Sequence, residues 1–219
     1  MIASADTETK LKDNSVLTIN LSGTISEMAA PDMLGFLSGN TIENNGLNDM
    51  LLAIRKAKNN DDIKGIYLEA GPLAAGFSTL QELRDALADF KKSGKWIVAY
   101  GDTYTQGCYY VASVANHIFL NPQGQVDWHG LSSQPYYIKD LAAKFGVKYQ
   151  VAKVGTFKSA TEMFTETKMS DANREQVSAF LNGTWKDICQ AVSESRKISV
   201  DSLNAYADRY VTFSHAADY

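Results

Sequence analysis

One lysine, Lys158, is set in surroundings that predict chemistry. It lies in the run VGTFKSATEMF (154–164), where Gly155 ends a strand-like segment and small residues follow at a predicted helix start. A lysine at a helix start opposes the helix dipole, and shielding from water favours the neutral amine. A neutral amine is able to act as general base for a serine hydroxyl. Most lone lysines are solvated surface residues, so the spacing alone leaves both interpretations open.

The residues around this lysine give no clear nucleophile for it. Ser159 follows directly, and it either orients the amine or only begins the helix. Cys108 follows Gln106 and Gly107 at another predicted helix start. No histidine stands near Cys108 in sequence, which favours a buried thiol over a nucleophile.

Other catalytic arrangements are disfavoured by their missing motifs. None of the three histidines lies in an H-E-x-x-H motif, and the chain contains no G-x-S-x-G motif. A Ser-His-Asp triad is therefore not expected. The two cysteines, Cys108 and Cys189, have no metal-binding spacing, and we expect two buried thiols and no metal site.

Composition limits the class of protein. The 219 residues are 45% hydrophobic and 21% charged, with a net charge of -4, which is typical of a globular protein. No basic cluster longer than a lysine pair occurs, which argues against nucleic acid as the main partner. No apolar run is long enough to span a bilayer. We expect a disordered lead over residues 1–14 and one domain over 15–219.

Strand and helix patterns alternate along the chain and predict an α/β fold with a mainly parallel sheet. Residues 26–46 are rich in Gly, Asn, Ser and Pro and are predicted to form a long surface loop. The strands are expected at 17–21, 63–68, 96–100, 117–120 and 147–151. Helices are expected over 47–54, 78–90, 106–116, 138–145 and 171–197, with a last short helix near 203–210.

Several stop and start signals accompany these patterns. Gly23 and Gly101 are expected to end strands, and Ser78 with Gln81 forms a potential capping box. A small-residue turn is predicted over 70–76, at the carboxyl end of a strand, where open α/β sheets bind ligands. Gly71 and Gly76 in this turn are therefore candidate substrate contacts, although Pro72 between them has no amide donor.

The lysine run and two further segments resemble peptidase family S49, the signal peptide peptidase A family, in its long two-repeat form (protease IV). The further segments are AYGD (99–102) with QG (106–107), and NPQG (121–124) with VD (126–127) and HG (129–130). The similarity extends in order and spacing from about Val16 to about Tyr210. The resemblance implies a ClpP/crotonase-like fold of repeated strand-strand-helix units.

The resemblance also implies that the two catalytic residues lie in different repeats. This chain would be the N-terminal repeat, with Lys158 as the general base, and the serine nucleophile would lie in a C-terminal repeat outside it. Gln106 stands where that second repeat carries its serine, so the chain alone is expected to be inactive. No metal or organic cofactor is implied.

The implied setting is a membrane. The substrates would be cleaved signal peptides, and the full-length protein would be a homo-oligomer, a tetramer by resemblance. It would be held by an N-terminal anchor absent from this chain, on the periplasmic face of the bacterial inner membrane. Two alternatives are a binding or scaffolding module of the same fold and a crotonase-like enzyme acting on acyl thioesters. The sequence shows no adenine-binding signal for the latter.

Overall fold

A computed structural model describes residues 11–28, 44–152 and 154–209. The chain forms two compact units. The first is built from residues before Gly130 together with those from Ala191 onwards, and the second comprises Gly130–Gln190.

The first unit is built on a five-stranded parallel sheet in the order β2-β1-β3-β4-β5. Its strands are β1 (Ser15–Ser26), β2 (Asn44–Gly46), β3 (Ile63–Ala74), β4 (Trp96–Tyr104) and β5 (His117–Val126). The predicted α/β class with a parallel sheet is confirmed. β2 forms at the end of the predicted loop over 26–46, whose residues 29–43 lie outside the described part, as do residues 1–10 of the predicted lead.

The helices of this unit alternate with the strands, as the sequence predicted. They are α1 (Leu47–Asn59), α2 (Phe77–Lys91) and α3 (Gln106–Ala112). The predicted apolar stripe of α2 is buried in the core, namely Leu80, Leu83, Leu87 and Phe90. The predicted capping box is wrong, because α2 already begins at Phe77 and Gly76 caps it without a side-chain hydrogen bond.

Four strands are longer than predicted because they continue through the expected stops. β1 passes Gly23 and β4 passes Gly101, each with a register shift at the glycine. β3 continues through most of the predicted turn over 70–76, and β5 continues through 121–124. A neighbouring parallel strand supplies hydrogen bonds beyond each irregularity, so the small residues form bulges in place of strand ends.

The second unit has little regular structure before its long helix. It contains α4 (Lys139–Lys144), the 3-10 helix Ser159–Thr161 and α5 (Glu162–Thr165). The helix α6 (Asp171–Arg196) begins there and ends in the first unit, which also holds α7 (Val200–Arg209). The predicted long helix over 171–197 and the last short helix are confirmed.

Two predictions for the second unit are wrong. The alternating residues of 147–151 form no strand in the described part of the chain, and their apolar side chains are exposed. The helix predicted over 138–145 is shorter, and Leu141 and Phe145 are exposed and do not point into a core. Its predicted stop is confirmed, since Gly146 has a φ of 74°.

Candidate functional site

Lys158 lies directly before the 3-10 helix Ser159–Thr161, and its side chain is exposed. The predicted position at a helix start is therefore confirmed, although the helix is a single short turn. Gly155, three residues earlier, has a φ of 97°, a left-handed conformation that L side chains rarely adopt. The chain thus bends sharply before it presents the amine to solvent.

A buried carboxylate holds the backbone on the other side of Lys158. Glu162, the first residue of α5, is only 3% exposed. Its Oε1 accepts a hydrogen bond from Ser170 Oγ at 2.5 Å, and its Oε2 accepts from Asn173 Nδ2 at 2.9 Å and from Ser170 N at 3.3 Å. The segment after the lysine is thereby fixed to the first turn of α6.

Further contacts support the same segment from within the second unit. The backbone N–H of Ile138 donates to Met163 O at 2.8 Å. The rings of Tyr149 and Phe164 pack with centroids 4.7 Å apart. Ser170 also caps α6, because its Oγ accepts from the backbone N–H of Asn173 at 3.2 Å.

No pattern in the sequence singles out Glu162. The available signal was Ser170 immediately before a long helical pattern, which marks an N-cap. That pattern does not indicate that the Ser170 hydroxyl also donates a hydrogen bond to Glu162.

Gln106 lies in the first unit, where it begins α3 and is 8% exposed. Its Oε1 accepts a hydrogen bond from the backbone N–H of His129 at 3.0 Å. The imidazole Nε2 of His129 lies 3.3 Å from Asp127 Oδ2. The amide of Gln106 therefore links the segment after β5 to the start of α3 and stabilises the fold.

The thiol next to Gln106 is closed off from solvent. Cys108 is fully buried, with its Sγ 3.7 Å from Leu21 O. Burial raises the pKa of the Cys108 thiol to about 12, while a backbone hydrogen bond from Gly71 acts in the opposite direction. Burial likewise raises the pKa of Cys189 to about 11. Both cysteines are free and buried, as predicted.

The two candidate glycine contacts have different surroundings. Gly71 is buried within β3, where an added Cβ would lie 2.9 Å from Ser22 Cβ. Gly76 is exposed at the start of α2, and an added Cβ there would meet nothing within 4 Å. Both glycines and Gln106 belong to the first unit, whereas Lys158 belongs to the second. A role for Gly71 or Gly76 in substrate binding stays a prediction.

Two features are absent from the part of the chain that the structure describes. No group of three or more His, Cys, Asp or Glu side chains is arranged to hold a metal ion there. Among the helices described, none combines the length and apolar character needed to cross a membrane.

Taken together, the chain is an α/β protein with a parallel sheet and an exposed lysine on a second unit. Residues 89–218, more than half of it, match the sequence profile of Peptidase family S49. This match includes both Gln106 and Lys158. The chain therefore belongs to peptidase family S49.

Curated relatives carry protease names. The chain is 41% identical over 167 residues to Protease 4 of Salmonella typhi, and 33% identical over 210 residues to Protease 4 of Haemophilus influenzae. It is 29% identical over 186 residues to the chloroplastic serine protease SPPA of Arabidopsis thaliana. These alignments cover 76%, 93% and 85% of this chain, but only 27%, 34% and 26% of the relatives. The chain thus spans about a quarter to a third of their length.

Solved structures give a weaker likeness. An enoyl-CoA hydratase/isomerase family protein from Silicibacter pomeroyi matches with a TM-score of 0.37 and 13% identity, covering 91% of this chain and 96% of that one. An enoyl-CoA hydratase from Geobacillus kaustophilus matches with a TM-score of 0.36 and 13% identity, covering 91% and 84%. At these scores the likeness supports no conclusion about activity.

Proposed function

We propose that this chain is the lysine-bearing, N-terminal half of a serine endopeptidase whose dyad consists of Lys158 and a serine outside the chain. The observation that carries the proposal is the family match, which includes Lys158 and a Gln106 that cannot attack a carbonyl. The relatives named Protease 4 are about three to four times longer than the region they share with this chain. They therefore have room for a second, serine-bearing repeat.

The proposed chemistry is a proton transfer. The Lys158 amine removes the proton of the serine hydroxyl as that oxygen attacks the peptide carbonyl, and backbone amides near the serine hold the oxyanion. Only a neutral amine accepts the proton. Lys158 is exposed in this chain, so the serine-bearing repeat must also shield it from water, because shielding favours the neutral form. The chain alone is therefore expected to be inactive.

The proposed substrates are cleaved signal peptides. One relative, from Enterococcus faecium, is named a putative signal peptide peptidase and is 22% identical over 161 residues. We further propose that the full-length protein assembles as a homo-oligomer, a tetramer. It would be anchored to the bacterial inner membrane with its catalytic part on the periplasmic face, and we expect no nucleic acid among its partners.

Replacing Lys158 in the full-length protein tests the dyad. Lys158→Met removes the basic nitrogen and retains the length of the side chain. Cleavage of a signal-peptide mimic should fall at least about 10³-fold, because an unassisted serine is a poor nucleophile at neutral pH. Lys158→Arg should fail as well, since the guanidinium stays protonated.

Lys168 supplies the matched control for this test. It is an exposed lysine in the same unit, and Lys168→Met should retain full activity. Folding of each variant is checked by circular dichroism. Near-full activity of a folded Lys158→Met protein would show that Lys158 is not the general base.

A binding or scaffolding role is the second candidate. It is favoured by the corner around Gln106, which consists of Gln106, Cys108 and the backbone of His129. The amide oxygen of Gln106 is hydrogen-bonded to the backbone N–H of His129, and the thiol of Cys108 is buried. A fluorophosphonate probe separates the two functions, because it labels an activated serine in the full-length peptidase and leaves a scaffold unlabelled.

A further inference from the structure

The backbone carrying Lys158 is joined to a buried carboxylate by a very short path. Glu162 follows Lys158 by four positions, with three residues between them. The backbone N–H of Glu162 donates to Ser159 O and closes the 3-10 turn that begins directly after the lysine. A displacement of Glu162 therefore moves the turn that is joined directly to Lys158.

Glu162 acts as an acceptor in each of three hydrogen bonds to the start of α6. The hydroxyl and the backbone N–H of Ser170 and the amide of Asn173 all donate to it. A carboxylate has enough lone pairs for all of them, whereas a carboxamide has a single acceptor oxygen and brings two donors. A charged group so deeply buried is costly unless its hydrogen bonds are complete.

We propose that Glu162 is the positioning residue of the Lys158 base: its carboxylate clamps the turn after the lysine to the first turn of α6 and so sets where the amine lies. This role rests on the proposed function of Lys158. Glu162 contacts no reacting atom and acts only through the position of the lysine. Its importance comes from geometry, because a misplacement of about 1 Å at a catalytic group costs on the order of 10²-fold in rate.

The test uses the full-length protein with Glu162→Gln, which retains the size of the side chain. We expect kcat to fall by about 10–100-fold while KM changes by less than about threefold. The pH dependence of kcat should also change, since a displaced amine meets different surroundings. Glu162→Asp retains the carboxylate and should recover part of the lost kcat.

A second measurement reports on the amine itself. An amine-reactive acylating reagent is applied to the full-length protein, and labelling is followed residue by residue with mass spectrometry. In Glu162→Gln the labelling rate of Lys158 should change by several-fold, while that of Lys168 stays the same. Loss of stability alone would lower the melting temperature and leave both labelling rates and the kcat profile as in the wild type, which would overturn the positioning role.

The outcomes distinguish this inference from the proposed function. If Lys158→Met is inactive but folded Glu162→Gln has wild-type kcat and pH dependence, the positioning role is wrong and the dyad stands. If Lys158→Met is active, both are wrong. Should Glu162→Gln fail to fold, Ser170→Ala removes the hydroxyl donor alone, and a folded Ser170→Ala protein with unchanged kcat also overturns the role.

Discussion

The corner around Gln106 and the segment around Lys158 are opposites in their use of polar groups. Gln106 is buried, its amide oxygen is occupied by the backbone of His129, and the neighbouring Cys108 is shielded from solvent. Lys158 is exposed, and what is buried near it is the carboxylate of Glu162. The first region directs its polar groups into the fold, whereas in the second a buried carboxylate holds the turn beside an exposed amine.

Two parts of one family match therefore differ in how their polar groups are placed. A buried polar side chain that is hydrogen-bonded within its own chain stabilises the fold. An exposed amine on an anchored turn is suited to meet a group supplied from elsewhere. The comparison leads to three predictions about the free energy of unfolding. It should depend strongly on Cys108 and Gln106 and only weakly on Lys158.

The largest effect is expected from the thiol of Cys108 at alkaline pH. Burial raises its pKa from the ordinary 9.0 to about 12 in the folded chain. The unfolded chain therefore loses its thiol proton first as pH rises above 9.0, and stability present below that pH is lost between pH 9.0 and about 12. The free energy of unfolding should fall by up to about 1.4 kcal/mol per pH unit from this group.

Urea unfolding at several pH values between 8 and 11 measures this slope. Cys108→Ala is the variant that should flatten it, and Cys189→Ala should leave the Cys108 contribution in place. An identical alkaline slope in wild type and Cys108→Ala would show that the thiol ionises as easily in the folded chain as in the unfolded one.

A smaller effect is expected from Gln106→Met in the isolated chain. Methionine matches the length of glutamine but offers no oxygen to the backbone N–H of His129. Leaving a partly buried donor without its acceptor should lower the free energy of unfolding by about 1–3 kcal/mol. Gln123 is exposed, and Gln123→Met serves as the control in the same denaturation assay. Equal stability of the two variants would mean that the hydrogen bond between Gln106 and His129 does not contribute to the free energy of unfolding.

The smallest effect is expected from Lys158→Met in the isolated chain. Lys158 precedes the 3-10 helix but makes no side-chain capping hydrogen bond, and replacing an exposed side chain of this kind typically changes stability by less than about 0.5 kcal/mol. The same substitution should nearly abolish activity in the full-length protein. A destabilisation of 2 kcal/mol or more, on the order of a core substitution, would show that Lys158 supports the fold and would remove the contrast with Gln106.

The sequence predicted the features that depend on local periodicity. The stripe of α2 follows from apolar residues spaced at three and four positions, and it is buried as expected. The ends of β1 and β4 were mistaken, because a glycine ends a strand only if no neighbouring strand continues alongside it. Alternation over 147–151 likewise predicts a strand that needs a pairing partner, and the described residues provide none.

The candidate site was predictable only in part for a related reason. The run around Lys158 identifies the amine and its helical turn through local sequence and family resemblance. Glu162 could not be assigned a role, since its burial depends on donors eight and eleven residues later, Ser170 and Asn173. Spacing along the chain does not reveal which surface carboxylate folds inward to meet them.

The two buried cysteines determine how the folded chain responds to its redox environment. Disulfide exchange requires a thiolate that reaches another sulfur, and Cys108 and Cys189 are 0% and 1% exposed. The folded chain therefore has no thiol to offer to an oxidant, and it needs no disulfide to hold its shape. Once folded, its structure should therefore be indifferent to the redox potential around it.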